Sequence, residues 1–135
     1  MSHSVACIDY RDGKILIAKR LMHGDMGGRW EFPGGKIEKD EEPVAAIKRE
    51  MQEEFGCDCQ IFEELAKGSF FHKGIKCFVT AFRIRLANDG IKSQFKLTEH
   101  SQTEWVLPNQ IKKLPFVDSD LNIFDQIKKS LGIGE

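Results

Sequence analysis

Residues 35–57 read GKIEKDEEPVAAIKREMQEEFGC, and their spacing predicts a helix over 43–55. Pro43 suits the first helical position, where a missing N–H costs nothing. The acids Asp40, Glu41 and Glu42 favour the positive end of the helix dipole, and Gly56 suits its end. At about 100° per residue, with Glu50 as origin, Glu53 falls near −60° and Glu54 near +40°, so the three carboxylates share one narrow face. Val44, Ile47, Met51 and Phe55 form the adjoining apolar stripe. Like charges at i,i+4, such as Glu50 and Glu54, repel by ~0.2–0.5 kcal/mol, and only Arg49 and Lys48 lie near enough to offset them. A cation is therefore expected at this face. Hard oxygen donors beside a glycine-rich loop that can offer carbonyls suit Mg²⁺ or Mn²⁺ better than zinc or copper. A Glu-rich helix can also simply face water, and the wider pattern has to decide between the two.

Upstream, Ser4 to Tyr10 and Lys14 to Lys19 are strand-like runs joined by Arg11-Asp12-Gly13, whose Asp-Gly pair signals a hairpin. Leu21 to Gly28 reads as a loop, and Trp30 to Phe32 as a short strand ended by Pro33-Gly34-Gly35. Downstream, Asp58 to Leu65, Gly68 to His72, Lys76 to Arg85 and Thr103 to Leu107 read as strands of a mixed sheet. From Asp118 to Leu131, Leu121, Phe124, Ile127 and Leu131 recur at helical spacing, with Asp118 or Ser119 as N-cap and Gly132 as terminator. Strands flanking one central helix, with a second helix at the end, imply an α/β fold with a three-layer α/β/α arrangement.

The 135 residues suffice for one core and not for two, so residues 1–135 are expected to form a single domain. Twenty basic and 21 acidic residues give a net charge of −1, which offers no general attraction to nucleic acid or anionic membrane. Phosphate recognition must then be local. Cys7, Cys57, Cys59 and Cys77 show no zinc-type spacing and read as reduced thiols, mostly in the core. No signal segment or membrane-length apolar run is present, so a soluble cytoplasmic protein is expected. No heptad is evident, and no obligate protein partner is implied.

Forward from Gly35, five residues lead to Glu41 and seven more to Arg49-Glu50. An apolar residue, one further residue, Glu53-Glu54, one residue, Gly56 and a final apolar residue complete the pattern. With seven fixed residues, a chance match in a chain of this length is on the order of one in a million. The segment resembles the box of the Nudix hydrolases, and Trp30-Glu31-Phe32-Pro33-Gly34-Gly35-Lys36-Ile37-Glu38 resembles the MutT-like branch, which acts on nucleoside triphosphates. The resemblance implies a Nudix-type α/β/α sandwich with a mixed β-sheet and a Mg²⁺-dependent pyrophosphohydrolase that releases nucleoside monophosphate and pyrophosphate. It places the metal on Gly35, Glu50, Glu53, Glu54 and Glu99, the last standing six residues before Trp105. Arg49 would orient the acids and Glu41 would brace the loop. The catalytic set is then Arg49, Glu50, Glu53 and Glu99, with either Glu50 or Glu99 as base. Arg20, at a strand end where relatives reach substrate phosphates, and Lys36 are candidate substrate contacts.

Base recognition rests on the loops and the last helix rather than on the box. Asp118 stands where relatives that remove oxidised guanine nucleotides carry asparagine, which argues against that preference. The Pro115-to-Asp120 spacing matches relatives that hydrolyse pyrimidine triphosphates, so Asp118 and Asp120 are candidate base contacts. The resemblance disfavours dinucleoside polyphosphates, since the only tyrosine is Tyr10, and ADP-ribose, since His72 stands where a proline is usual. Phe70, Phe71 and Phe78 are read as core residues, and His100 as a surface residue. The competing class is a non-catalytic nucleotide-sensing module, which the retained acids argue against. A nucleotide is the expected partner, without stable nucleic-acid or membrane binding.

Overall fold

The computed structural model describes residues 1–24 and 26–134. Strands β1 (Ser2–Arg11) and β2 (Lys14–Arg20) form the opening hairpin, and Asp12 and Gly13 take the positive φ values of 51° and 78° that its two-residue turn demands. They pair only near the turn, at Tyr10↔Ile15 and Arg11↔Lys14, and then diverge. Beyond that point β1 runs antiparallel to β4 (Gly34–Lys36) and parallel to β6 (Ile75–Leu86), which pairs antiparallel with β5 (Cys59–His72). The other arm, β2, sits between β3 (Trp30–Glu31) and β7 (His100–Val106). The cleft discussed below opens between these arms.

Helix α1 (Pro43–Phe55) has the bounds the sequence predicts, and Gly56 closes it at φ 67°. Helix α2 (Asp118–Ser130) covers the opposite face. Alternation along the strands explains the layering. Val5, Cys7, Leu16 and Ala18 meet Ala46, Ile47, Met51 and Phe55 of α1. Ala6, Ile8, Ile15 and Ile17 meet Ile123, Phe124 and Ile127 of α2. The result is the expected α/β/α sandwich with a mixed sheet. Side chains of α2 also satisfy the free edge of β5. The Gln126 amide bonds both N and O of Lys67 at 3.1 and 3.0 Å, and Ser130 Oγ donates to Leu65 O at 2.6 Å.

Several local expectations are corrected. The two segments read as separate strands between 58 and 72 form one long β5 whose register breaks around Glu64. Gly34 and Gly35 do not end the extended structure but form β4. A Cβ on Gly34 would stand 2.0 Å from Val5 O, so only glycine lets this strand lie on β1. A 3₁₀ turn over Pro108–Lys113, unsigned by hydrophobic period, precedes α2. The residue preceding α2 is Val117, so Asp118 is its first helical residue and makes no side-chain cap. Val44 is exposed rather than part of the buried stripe, and so is Phe71 at 73%, while Phe70 and Phe78 are only half-buried. Leu21–Gly28 is a loop in which Asp25 lies outside the described residues. Among the described residues, no helix is long and apolar enough to cross a membrane.

Candidate active site

Glu50, Glu54 and Glu99 converge, with one carboxylate oxygen from each lying within 4.8 Å of the others. Glu50 and Glu54 are one helical turn apart on α1. Glu99 arrives from sequence 45 residues later because the preceding loop docks on the end of α1. Lys96 N donates to Phe55 O at 3.3 Å, Thr98 Oγ1 donates to Glu53 O at 2.8 Å, and Phe95 meets Phe55 edge-on at 5.0 Å. Gly35 forms the opposite wall. A Cβ there would sit 2.4 Å from the Glu50 carboxylate carbon, so the glycine makes room for the acid.

The electrostatics of the trio are uneven. Glu50 is held by Arg49 Nη1 at 2.7 Å. Glu54 is fully buried, and neither of its oxygens meets a hydrogen-bond donor among the described residues. Burial, followed by the neighbouring Glu50, pushes its carboxyl well above the usual range and past neutrality. The two acids can share a hydrogen bond only when one carries a proton. An unpaired buried carboxylate is costly unless a cation meets it, so these donors fit a divalent metal ion. Glu99, by contrast, is exposed at the cleft edge.

Arg49 ties the helix to the preceding loop. Its guanidinium meets Glu41 twice at 2.9 Å, Glu38 at 3.2 Å, Glu53 at 3.3 Å and the Lys36 carbonyl at 3.0 Å. The Arg49 hydrogen bonds, helped by the Glu38 N–H, lower the Glu41 carboxyl from 4.5 to about 2. Glu53 itself is 53% exposed and lies outside the converging trio.

A cleft of about 430 Å³ runs from Gly35, Glu50 and Glu99 past Arg20, Glu31 and Lys36 to Asp120. A larger hollow of about 660 Å³, lined by Arg11, Arg85 and Lys92 among others, contains none of these acids. Arg20 Nη1 bonds Glu31 at 3.1 Å. Asp120 is buried, and its Oδ2 accepts from Phe32 N at 2.8 Å. That contact exists because Trp30 exchanges backbone hydrogen bonds with Pro115 and Val117, which seats the start of α2 against β3. Burial raises the Asp120 carboxyl from 3.8 to about 8, against the lowering effect of the Phe32 N–H. Asp118 is separate. Its side chain is 79% exposed, it stands 3.7 Å from Arg29, and it lines an adjoining hollow that shares Phe70 and Ser119 with the cleft.

Sequence reasoning missed two residues here. His100 is not on the surface but buried at the start of β7, with Nε2 2.8 Å from Glu31 Oε2 and Nδ1 3.7 Å from Glu54 Oε1. Glu31 was seen only as part of the motif. Both sit where β7 and β3 flank β2, a pairing that no local periodicity signals.

Acids converging from α1 and the loop before β7, a glycine wall, and Arg20 and Lys36 along the same cleft are the parts expected of an enzyme that hydrolyses phosphorus anhydrides. The chain belongs to the Nudix hydrolase family, for residues 2–127 match the NUDIX domain model. It is 31% identical to the CTP pyrophosphohydrolase of Escherichia coli strain K12 across 93% of this chain and 90% of that protein. It is 44% identical to the 8-oxo-dGTP diphosphatase of Proteus vulgaris over 59 residues, which cover 42% of this chain and 53% of the relative. The solution structure of the Escherichia coli ORF135 protein superposes with a TM-score of 0.80 at 30% identity, over 96% of this chain and 89% of that one.

Proposed function

We propose that this Nudix hydrolase is a Mg²⁺-dependent nucleoside triphosphate pyrophosphohydrolase with a preference for a cytosine-type base. The observation that carries this reading is a single cleft with the acid trio at one end, Arg20 and Lys36 along its length and the buried Asp120 at the other. The donors suit a Mg²⁺ ion held by Glu50, Glu54 and Glu99, with Gly35 and Glu53 at the rim; its charge would offset that of the phosphates and acidify the attacking water.

The protein's own groups carry the rest. Arg20 and Lys36 offer positive charge to the phosphate chain. Arg49 fixes the Glu50 carboxylate and the loop carrying Gly35, so the acids are held before substrate arrives. Of the two candidates for general base, Glu99 is favoured: it is solvent-accessible and has no ion-pair partner among the described residues, whereas Arg49 occupies Glu50. Glu99 takes the proton from water as the oxygen attacks an internal phosphorus and the anhydride bond breaks, leaving nucleoside monophosphate and pyrophosphate.

At the far end, a carboxyl raised to about 8 is protonated at neutral pH. With Oδ2 already accepting from Phe32, the acid can donate through its O–H to cytosine N3 and accept from the exocyclic amine. An ionised aspartate would instead repel N3. The CTP pyrophosphohydrolase relative supports the same base. Adenine presents the same pair of groups, so ATP is the control that matters.

The test is product analysis across CTP, dCTP, ATP, UTP and 8-oxo-dGTP, in Mg²⁺ and in EDTA. Metal-dependent release of CMP and pyrophosphate, with CTP or dCTP leading, is expected. Equal rates on every base would sink the Asp120 assignment. Release of orthophosphate without pyrophosphate would sink the proposed bond cleavage.

A further inference from the structure

Arg20, Glu31 and His100 come from three adjacent strands, because β2 pairs with β3 through Ala18↔Glu31 and with β7 through Arg20↔His100. Their side chains form a hydrogen-bonded line that points at Glu54. Glu31 receives Arg20 Nη1 on Oε1 at 3.1 Å and faces His100 Nε2 with Oε2 at 2.8 Å. The other nitrogen of the same ring, Nδ1, stands 3.7 Å from Glu54 Oε1. The His100 and Glu54 side chains are each 1% exposed, and among the described residues neither Nδ1 nor the Glu54 oxygens have a hydrogen-bond partner. The imidazole also lies parallel to the Phe55 ring, at 5.8 Å between centroids and 7° between planes, so its orientation is fixed from the face as well as from the Nε2 edge.

We infer that Glu31 and His100 are positioning residues that mechanically join the phosphate-binding stretch of the cleft, at Arg20, to the metal-binding carboxylate of Glu54. This rests on the metal reading of the acid trio, and it adds a coupling between two parts of the cleft that would otherwise act independently. The imidazole is a rigid spacer. Anchoring one edge on Glu31 sets where the other edge meets Glu54, and Arg20 holds Glu31 in turn. A cation that orders Glu54 thereby orders Arg20, and a phosphate that draws on Arg20 is felt at Glu54. By reciprocity, each ligand strengthens the other by the same factor.

The experiment is a double-mutant cycle on metal affinity with no nucleotide present. Mn²⁺ alone is titrated by electron paramagnetic resonance into wild type, Glu31→Gln, His100→Phe and the double variant. Glu31 is not among the converging acids, so a purely local role leaves Mn²⁺ affinity untouched when it is changed. Coupling predicts that each single variant weakens Mn²⁺ binding by roughly tenfold, and that the double variant is no weaker than His100→Phe alone, since Glu31 acts only through the ring. Mn²⁺ affinity within twofold of wild type in Glu31→Gln, or losses that multiply in the double variant, overturns the inference.

His100→Gln guards against misfolding of the Phe variant. It keeps a donor for Glu31 while removing the edge that faces Glu54, and it is expected to match His100→Phe in Mn²⁺ affinity; wild-type affinity in this variant overturns the inference. Steady-state kinetics give an independent readout, in which Glu31→Gln raises both the nucleotide KM and the Mn²⁺ concentration for half-maximal rate. Wild-type protein that binds no Mn²⁺ would bring down the metal reading and this inference with it. Wild-type protein that binds Mn²⁺ while Glu31→Gln binds it equally well removes the inference alone.

Discussion

Replacing Glu54 by glutamine should stabilise the metal-free protein while crippling the enzyme. Glu54 is fully buried and its oxygens find no donor among the described residues, so in the absence of metal the folded state holds this carboxyl in its protonated form at neutral pH. The unfolded chain releases that proton near 4.5. The folded state therefore binds more protons between 4.5 and its own raised value, and stability falls as pH rises through that window. From 4.5 to pH 7 is about 2.5 units at ~1.4 kcal/mol each, or about 3.5 kcal/mol that the wild type lacks and Glu54→Gln retains. The buried acid and the buried amide have similar unmet hydrogen-bonding needs, so that contribution cancels to first order. For 135 residues, with an unfolding entropy of ~2.1 cal/mol/K per residue, the difference amounts to about 12 °C in Tm. Scanning calorimetry in EDTA at pH 7 should show the variant melting higher, with the gap closing as pH falls toward 4.5. Adding Mn²⁺ should raise the wild-type Tm by mass action and leave the variant nearly unmoved. A variant that melts below wild type in EDTA at pH 7, or a gap independent of pH, would refute the reasoning.

Three further outcomes are expected. Gly35→Ala puts a methyl group where the Glu50 carboxylate sits, and an acid displaced by about 1 Å costs roughly 10²-fold in kcat/KM; circular dichroism should show the fold retained, because the displaced group is a side-chain end. Asp120 has a folded-state pKa raised to about 8, so the KM for a cytidine nucleotide should climb as pH rises through about 8 in wild type. In Asp120→Asn that pH dependence should be absent, and its persistence would remove Asp120 from base recognition. Arg49→Met releases Glu41, whose carboxyl is lowered to about 2, so its contribution is present above about 4.5 and lost as pH falls through about 2. The variant should melt below wild type at pH 7, with the gap closing toward pH 2, as thermal melts across that range would check.

The legible parts of the sequence were those whose cause is local. Pro43 and Gly56 mark α1 because a helix start tolerates a missing N–H and its end requires a positive φ. Asp12-Gly13 marks the hairpin for a similar reason. The convergence of Glu50 and Glu54 follows from 3.6 residues per turn alone. What was not legible depends on partners distant in sequence. Gly34 and Gly35 read as a turn because glycine usually breaks strands; here they form one, since lacking a Cβ lets Gly34 lie against the Val5 backbone and leaves room beside Gly35 for the Glu50 carboxylate. Phe71 reads as core by composition, yet strand alternation turns Phe70 rather than Phe71 toward the core under α2, and Phe71, next to the end of β5, is exposed.

His100 shows the same limit at the site itself. Its neighbours in sequence, Glu99 and Ser101, are exposed, so nothing within a few residues reports burial. Its environment is made by Glu31 on β3, by Glu54 and Phe55 on α1, and by the register of β7 against β2. A buried imidazole between two carboxylates is expensive in a fold that has no use for it, since polar groups away from water need partners and hydrophobic residues of similar size would pack there. Gly35 and Gly34 carry a comparable cost in backbone entropy. Three of the five buried polar or charged side chains among the described residues, Glu50, Glu54 and His100, thus gather around one carboxylate cluster. The gain expected from Glu54→Gln without metal and the loss expected from His100→Phe with it are two measurements of one trade between stability and site preorganisation.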